Sequence, residues 1–229
     1  MQNNLVDQLW TDKGAGFGKL LLNHVFDQDA AKETLSILHG IDVAQVIPRE
    51  LVAAFWLIPI LQVLRGFEFE ASPFKYQAFE IKGAVARILG STTELESHTS
   101  DVSSLEQFAE PTAIVRDQWN LERGGFMALL RMHRATDVSL ARFLGILEDI
   151  ALPPGPLPRR LVVHLWWIPL LAWHTAPEYL DIRLGLQQAL LPRLGRILSE
   201  PFPGTVSAIL SGTTLSDIDS ADRFGGSSE

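Results

Sequence analysis

Apolar residues recur along most of the chain at the spacing of an α-helix. Phe17, Leu20 and Leu21 stand at positions i, i+3 and i+4, and His24 follows at i+7, so the four residues share one helical face. Strand-like alternation is weak, and the stretch FEFEA that begins at Phe67 is too short to carry a sheet. The pattern therefore predicts an all-α fold.

Acidic and hydroxyl residues mark the start of a second helix in each half of the chain. Asp27 or Asp29 precedes KETLSILHGI, and Thr136 or Asp137 precedes LARFLGILEDI. Such side chains accept hydrogen bonds from the free amides of a first helical turn. We therefore predict helix N-caps at these positions.

Two segments are strongly apolar: PRELVAAFWLIPILQ at residues 48–62 and PRRLVVHLWWIPLLA at residues 158–172. Their apolar runs of roughly 13–14 residues are shorter than the ~20 residues of a membrane-spanning helix. Each segment is therefore predicted to be a buried core helix. Pro48 and Pro158 can open these helices, because the first helical position needs no backbone N–H.

A second proline lies about eleven residues into each apolar segment. Pro59 and Pro169 each remove a backbone hydrogen bond and clash with the carbonyl four residues earlier, so each requires a kink or a helix end. A final helix is predicted over residues 73–89 in the first half and 177–199 in the second. Pro192 must bend or split the second of these helices.

The apolar segments belong to a repeat that covers nearly the whole chain. At an offset of 110 positions they share 8 of 15 residues, and at an offset of 109 LWTDKGAGFGKLLLNH aligns with QWNLERGGFMALLRMH. We interpret this as a tandem internal duplication of a four- to five-helix unit of roughly 90–100 residues, with copies related by a pseudo-twofold axis. The predicted boundaries are repeat 1 at 1–90, a polar linker at 91–111, repeat 2 at 112–210 and a disordered acidic tail at 211–229.

Composition and charge narrow the possible partners. The chain has 19 Lys+Arg, 27 Asp+Glu and a formal net charge of -8, so it lacks the basic surface that binds nucleic acid, and a basic protein is the better partner. Its lack of cysteine excludes disulfides and thiolate metal sites. The start, MQNNLVDQLWTDKG, lacks the features of a signal peptide. We expect a cytoplasmic protein with no transmembrane segment, and self-association is compatible with this composition.

Histidine offers one candidate metal or haem site. The repeat places His24 and His133 at equivalent positions, and a twofold axis could bring the two imidazoles together as ligands of a metal or haem iron. No carboxylate or histidine partner recurs at ligand spacing in both copies. The alternative is a histidine at the end of a core stripe that hydrogen-bonds a backbone carbonyl, and no cofactor is expected.

Tryptophan and histidine near the inner prolines offer a second candidate site. Indoles could line an apolar ligand pocket in which broken helices leave free carbonyls as polar anchors; alternatively, these aromatic residues form the core. The indoles concerned are Trp56, Trp166, Trp167 and Trp173. His164 and His174 have no equivalents in copy one and are candidate acid–base groups for such a pocket.

Glycine and arginine patterns carry weaker signals. GAGFG at residues 14–18 has the composition of a phosphate loop but lacks a preceding strand, and its counterpart RGGFM favours a helix-start turn. Two arginine pairs recur with the repeat and have two possible roles. They bind an anion or an acidic partner, or their charges complement the dipole at a helix end. The pairs are Arg49 with Arg159 and Arg87 with Arg196.

Three functions fit this sequence. The first is a non-catalytic helical protein-binding module, such as an adaptor, an inhibitor or a toxin-neutralising partner, with an acidic two-lobed surface and no G-x-S-x-G or H-E-x-x-H motif. The second is a binder of a hydrophobic small molecule, or a cofactor-independent enzyme acting on one, with the molecule held between the repeats by the Trp and His residues. The third is a haem or metal protein that uses His24 and His133.

Overall fold

The computed structural model of the chain describes residues 5, 9–10, 16–68, 72–96, 106–175 and 180–199. Helices make up most of this part of the chain, so the predicted all-α fold is confirmed. No helix among the described residues is long and apolar enough to span a membrane. The predicted tail at 211–229, residues 97–105 of the predicted linker and the predicted start of the final helix at 177–179 lie outside the described residues.

In chain order, the first half contains α1 (Phe17–Leu22), α2 (Gln28–His39), the short strand β1 (Val46–Ile47), α3 (Arg49–Phe55), α4 (Ile58–Leu64), α5 (Lys75–Leu89) and α6 (Thr92–Glu96). The second half contains a 3-10 turn (Glu106–Phe108), α7 (Ala109–Asp117), α8 (Phe126–Arg131), α9 (Asp137–Asp149), the short strand β2 (Leu157–Pro158), α10 (Arg159–Thr175) and α11 (Leu180–Ser199). The described residues divide into two compact units. The first unit takes residues up to Ala44 and Glu50–Ile88, and the second takes Gln45–Arg49 and the residues from Leu89 onward.

Two of the residues predicted as helix caps, Asp27 and Thr136, are the N-caps of α2 and α9. The Asp27 carboxylate accepts hydrogen bonds from the Asp29 and Ala30 amides at 3.0 and 2.8 Å. The Thr136 hydroxyl accepts from the Ser139 amide at 3.2 Å, and the Ser139 hydroxyl accepts from the Thr136 amide at 2.8 Å. This reciprocal pair is a capping box, and such a cap stabilises a helix by about 1 kcal/mol.

The core of the first unit forms around α4. All seven residues of this helix are buried, and α1 packs against it. An aromatic cluster adds to this core, because the Phe26 ring stacks on Phe74 at 4.7 Å between ring centroids and meets the Phe17 ring edge-on at 5.3 Å. Aromatic pairs of this geometry contribute about 0.5–1.5 kcal/mol each beyond the burial of their area.

Helix α10 is the central helix of the second unit. Helices α6, α7, α8 and α11 pack against it, and α9 packs against α8 and α11. Leu161, Val162 and Leu165 of α10 are fully buried. Burial of each such side chain contributes roughly 1.5–3 kcal/mol to the free energy of folding. The prediction that the second apolar segment forms a buried core helix is therefore confirmed.

The two apolar segments differ at their inner prolines. In the first, α3 ends at Phe55, a two-residue turn follows, and Pro59 lies in the first turn of α4. Proline costs little there because its missing N–H would have no intrahelical acceptor. In the second, α10 continues through Pro169 without ending. Helix α11 also continues through Pro192 without splitting.

The described residues contain one short two-stranded β-ladder. Strands β1 and β2 pair antiparallel, with Ile47 opposite Leu157. The Arg159 amide also donates to the Gln45 carbonyl at 2.8 Å. These bonds attach residues 45–49 to the second unit.

Candidate functional site

His24 and His133 close helices α1 and α8 in the same backbone conformation. Their φ angles are 58° and 54°, which lie in the left-handed region. Each histidine amide donates to the carbonyl three residues earlier, and the following amide donates to a carbonyl five residues earlier. These bonds are His24 to Leu21, Val25 to Leu20, His133 to Leu130 and Arg134 to Leu129. The pattern is a Schellman motif, which satisfies the last carbonyls of a helix.

This backbone position is one that histidine tolerates, at both His24 and His133. Histidine is enriched several-fold among the non-glycine residues that adopt a positive φ. Both imidazoles are exposed, so they do not end a core stripe as one alternative predicted. Within the described ranges, no group of three or more His, Cys, Asp or Glu side chains is arranged to hold a metal ion.

Two tryptophan side chains donate hydrogen bonds to backbone carbonyls close to the inner prolines. Trp10 Nε1 donates to the Ala54 carbonyl at 3.0 Å, and Trp119 Nε1 donates to the His164 carbonyl at 3.2 Å. Each acceptor lies five residues before the inner proline of its segment. Each acceptor is the neighbour of the carbonyl that the proline deprives of a helical donor, which is Phe55 or Leu165.

The tryptophans predicted to line a ligand pocket are packed into the units. Trp56 and Trp166 are fully buried, and Trp173 is almost so. The Trp166 and Trp167 rings lie 4.4 Å apart, and both indole nitrogens donate to the Gly90 carbonyl, at 3.1 and 3.0 Å. Trp56 and Trp166 have no exposed surface with which to contact a ligand.

The two candidate acid–base histidines lie in different surroundings on α10. His174 is exposed, whereas His164 is only 1% exposed. His164 Nδ1 lies 2.6 Å from the Arg160 carbonyl, and because a carbonyl only accepts, Nδ1 carries the hydrogen. Nε2 is buried and has no hydrogen-bond partner among the described residues. Ten residues of helix separate the two imidazoles by about 15 Å along the axis, so they do not form one acid–base pair.

Burial sets the protonation state of His164. It lowers the pKa of His164, the bond to the Arg160 carbonyl opposes this shift, and the charges of Arg160 and Arg116 add to it. The side chain is therefore a neutral imidazole inside the second unit at neutral pH. The ring has almost no exposed surface through which to exchange a proton with a substrate.

The first arginine pair holds parts of the second unit together. Arg49 donates to the Gly155 and Pro153 carbonyls at 2.7 and 2.6 Å. Arg159 donates through Nε and Nη2 to both carboxylate oxygens of Glu94, at 2.8 and 2.9 Å. This bidentate bond holds the pKa of Glu94 below its usual value. Both arginines are buried and bind groups of the chain itself.

The second arginine pair satisfies helix C-termini in equivalent ways. Arg87 of α5 donates to carbonyls at the end of α2, and Arg196 of α11 donates to carbonyls at the end of α9. The acceptors are Leu38 and Ile41 for Arg87, and Leu147 and Ile150 for Arg196. These contacts give the second pair the helix-end role that the sequence predicted as one alternative.

The sequence did not indicate a buried ion pair in the first unit. Glu68, just after α4, pairs with Lys82 of α5. Burial raises the pKa of Glu68, and the hydrogen bond and charge of Lys82 offset part of this shift.

Gln62 is 0% exposed, and neither of its side-chain amide atoms has a hydrogen-bond partner among the described residues. The repeat gave no signal for Gln62, because copy two has Ala172 at the equivalent position.

A surface groove of about 530 Å³ lies over the second unit, lined by residues of α7, α8 and α9. Phe126 and Phe143 form its floor, where the two buried rings stack at 4.8 Å between centroids. Ile114 and Val138 also line the groove, and they are 37% and 80% exposed. The groove therefore has an aromatic floor and a solvent-exposed rim that carries both apolar and polar side chains.

A glycine turn shapes one wall of the groove. Gly125 is the N-cap of α8, as Gly16 is of α1, so the predicted helix-start turn is confirmed. A Cβ atom on Gly125 would come within 2.3 Å of the Asp117 carbonyl oxygen, so the close approach of α7 to this turn requires glycine.

Most polar side chains of the groove already have partners. Arg123 pairs with Asp117, and Thr136 and Ser139 form the capping box of α9. Arg142, by contrast, makes no hydrogen bond or ion pair within the described part of the chain. None of the Trp or His residues predicted to form a site lines this groove.

Comparisons of the chain with protein-family models, with curated proteins and with solved structures found no match. The geometry of the groove and of the surrounding contacts is therefore the basis for assigning a function.

Proposed function

We propose that this chain is a non-catalytic helical protein-binding module of the adaptor, inhibitor or toxin-neutralising type. The observation that carries the proposal is the open groove of the second unit, whose rim exposes Ile114 and Val138. Apolar side chains exposed around a preformed groove are typical of sites that receive a segment of a partner protein. The absence of a catalytic motif from the sequence supports the same function.

We further propose that the module arose by tandem duplication. Three contacts occur in equivalent form in the two halves of the chain: the left-handed turns of His24 and His133, the indole bonds of Trp10 and Trp119, and the helix-end bonds of Arg87 and Arg196. In the ladder, Ile47 faces Leu157, its equivalent at an offset of 110. Such pairing is expected where a local twofold axis relates two segments. The twofold relation of the copies as wholes and the predicted repeat boundaries stay predictions.

The alternative functions have less support. A hydrophobic-ligand site at the tryptophans would need exposed ring surface, whereas Trp56 and Trp166 are fully buried. A metal or haem site at His24 and His133 has less support because no group of three or more potential ligand side chains occurs within the described ranges. The net charge of -8 supports a basic partner for the surface as a whole. A cytoplasmic location and self-association stay predictions.

Site-specific photo-crosslinking tests the proposed function. A photoreactive amino acid at Val138 of the full chain, expressed in its native cells, should give discrete protein adducts. The same probe at Tyr76, which is 83% exposed in the first unit, serves as the control for non-specific capture. Replacement of Ile114 by Gln on the opposite rim should remove the Val138 adducts without unfolding the chain, since Ile114 is partly exposed.

The outcomes of this experiment are distinct. Adducts that are equal at Val138 and Tyr76, or that persist with Ile114→Gln, would contradict a binding groove. Native mass spectrometry of the purified chain supplies the complementary observation. A stoichiometric small-molecule adduct that survives Ile114→Gln would favour the small-molecule alternative over the protein-binding module.

A further inference from the structure

The charge around the groove is opposite in sign to the charge of the whole chain. The charged residues that line the groove are Asp117, Arg123 and Arg142, with a formal charge of +1. The complete chain has a formal charge of -8. A partner segment entering the groove therefore meets a local field that differs from the one at long range.

Arg142 is the cation of the groove that is available to a partner. Arg123 is already paired with Asp117, whereas Arg142 makes no ion pair or hydrogen bond within the described ranges. Arg142 is exposed and lies one residue before Phe143 of the floor. A guanidinium in this place can bind a carboxylate through two parallel hydrogen bonds while the neighbouring apolar surface is being covered.

The backbone at the N-terminus of α9 also favours a negatively charged group in the groove. Thr136, Val138 and Ser139 place the N-terminus of α9 in the groove wall. The first amides of a thirteen-residue helix carry a partial positive charge that attracts anions. Asp137 lies in this first turn and uses part of that attraction, so the guanidinium of Arg142 is the stronger attraction for a carboxylate.

We infer that the groove formed by α7, α8 and α9 binds an acidic amphipathic segment of a partner protein, with an apolar side chain over the Phe126–Phe143 floor and a carboxylate at Arg142. This inference rests on the proposed protein-binding function and adds the chemistry of the partner. The apolar floor and rim provide the affinity, and the unpaired guanidinium selects an acidic segment over a basic one.

The open shape of the groove favours a protein segment over a small molecule. Small-molecule sites enclose most of the ligand surface, whereas Val138 on this rim is 80% exposed. A helix or an extended segment laid along the groove covers both Ile114 and Val138 and keeps its polar face in water. Recognition of this kind is the helix-in-groove mode, in which a few apolar anchors carry the affinity.

Selection from a displayed library of random peptides tests the inference on the full chain. Peptides are selected on the wild-type protein and counter-selected on the Ile114→Gln, Val138→Gln double variant, which removes apolar rim surface without changing charge. The expected result is enrichment of peptides that combine apolar residues with a net negative charge. Enriched peptides of neutral or positive charge would overturn the acidic assignment and leave the protein-binding function standing. A failure to enrich any peptide that depends on the rim would overturn both.

Variants of single charges then test the role of Arg142. Arg142→Gln should weaken binding of an enriched acidic peptide about tenfold, and higher salt should reduce this difference because the interaction is between charges. Lys32→Gln removes the same charge from an exposed position in the first unit and should leave the affinity within about twofold of wild type. Equal effects of the two substitutions would mean that net charge, not the Arg142 guanidinium, selects the peptide, and would overturn the inference.

Discussion

A histidine in the left-handed region holds backbone strain that glycine does not. L-residues other than glycine lose roughly 1–2 kcal/mol in this conformation. Gly66 closes α4 with the same hydrogen-bond pattern at φ 74°, which shows the residue type that the motif accommodates without strain. His24 and His133 therefore stand at positions that tolerate histidine but do not favour it over glycine.

We predict that His133→Gly raises the free energy of unfolding by about 0.5–1 kcal/mol, because the relief of strain exceeds the extra entropy of glycine in the unfolded chain. His133→Val should lower it, since a β-branched residue resists a positive φ. The matched control is His39→Gly in the last turn of α2, where glycine replaces a residue in helical conformation and should destabilise. Urea denaturation followed by circular dichroism measures all three variants, and a loss of stability in His133→Gly would contradict the assigned conformation.

His164 should make stability depend on pH. Burial is the main cause that lowers its folded-state pKa below the ordinary histidine value of 6.5. Its contribution is therefore fully present above pH 6.5 and is lost as pH falls below 6.5 toward the folded pKa, because the unfolded imidazole binds a proton that the buried one resists. A single proton gives a slope of at most about 1.4 kcal/mol per pH unit.

The measurement is the free energy of unfolding of wild type and His164→Ala at several pH values between 7.5 and 5.5. Alanine is the residue of copy one at this position, Ala54. We expect a shallower decline with falling pH in the variant than in wild type. Glu68, with its raised pKa, acts in the opposite direction but equally in both proteins. Parallel curves for wild type and His164→Ala would rule out His164 as the source.

Residue-scale features were predictable where a side-chain type determines them. Asp27 and Thr136 were each one of two predicted cap residues, because carboxylate and hydroxyl oxygens accept hydrogen bonds from helix-start amides. The left-handed φ of His133 could not be predicted. Histidine also adopts ordinary helical angles, so its presence in a sequence does not indicate a positive φ. The burial of His164 was equally hidden, since one histidine in an apolar helix fits either a core or a site.

At the scale of elements, two similar apolar segments respond differently to a proline at the same position. Pro59 is the second residue of α4, where its missing N–H costs nothing, whereas Pro169 lies inside α10 and deprives the Leu165 carbonyl of its helical donor. Periodicity and composition predicted a buried helix in both places and a disturbance at both prolines. They did not predict which proline ends its helix, because that depends on the tertiary contacts of each copy.

The proline difference gives a quantitative prediction. Both prolines are buried, so replacing either by alanine removes similar packing and similar rigidity of the unfolded chain. Only Pro169→Ala also restores a helical hydrogen bond and removes a ring clash. We expect Pro169→Ala to be more stable than Pro59→Ala by about 2 kcal/mol, measured by urea denaturation. Equal stabilities would indicate that α10 has already relieved the strain at Pro169.

At the scale of the whole molecule, the sequence predicts a repeat, which stays a prediction, and gives no signal of the groove. Matching residues recur at an offset of 109, so Trp10 with Trp119 and Arg87 with Arg196 could be paired before any contact was known. The groove depends on which apolar residues tertiary packing leaves in solvent. Val138 and Phe143 both lie on α9 and are both apolar, yet one is 80% exposed and the other is buried. The pattern of apolar positions alone does not separate them.

Equivalent contacts in the two halves should contribute independently to the stability of the chain. Arg87→Met and Arg196→Met each remove hydrogen bonds to carbonyls that follow α2 and α9. We expect each substitution to lower the free energy of unfolding by about 1 kcal/mol, a modest value because both arginines are exposed. The two arginines share no partner, so the double variant should equal the sum of the single variants within about 0.5 kcal/mol.

Denaturation of the four proteins of this double-mutant cycle measures the coupling, with Arg142→Met as the matched control. Arg142 donates to no described carbonyl, so its replacement should change stability by less than about 0.5 kcal/mol. A coupling energy above about 1 kcal/mol would show that the two helix-end contacts act as one network and do not contribute independently. A destabilised Arg142→Met would equally undermine the groove, because a side chain that supports the fold is not available to a partner.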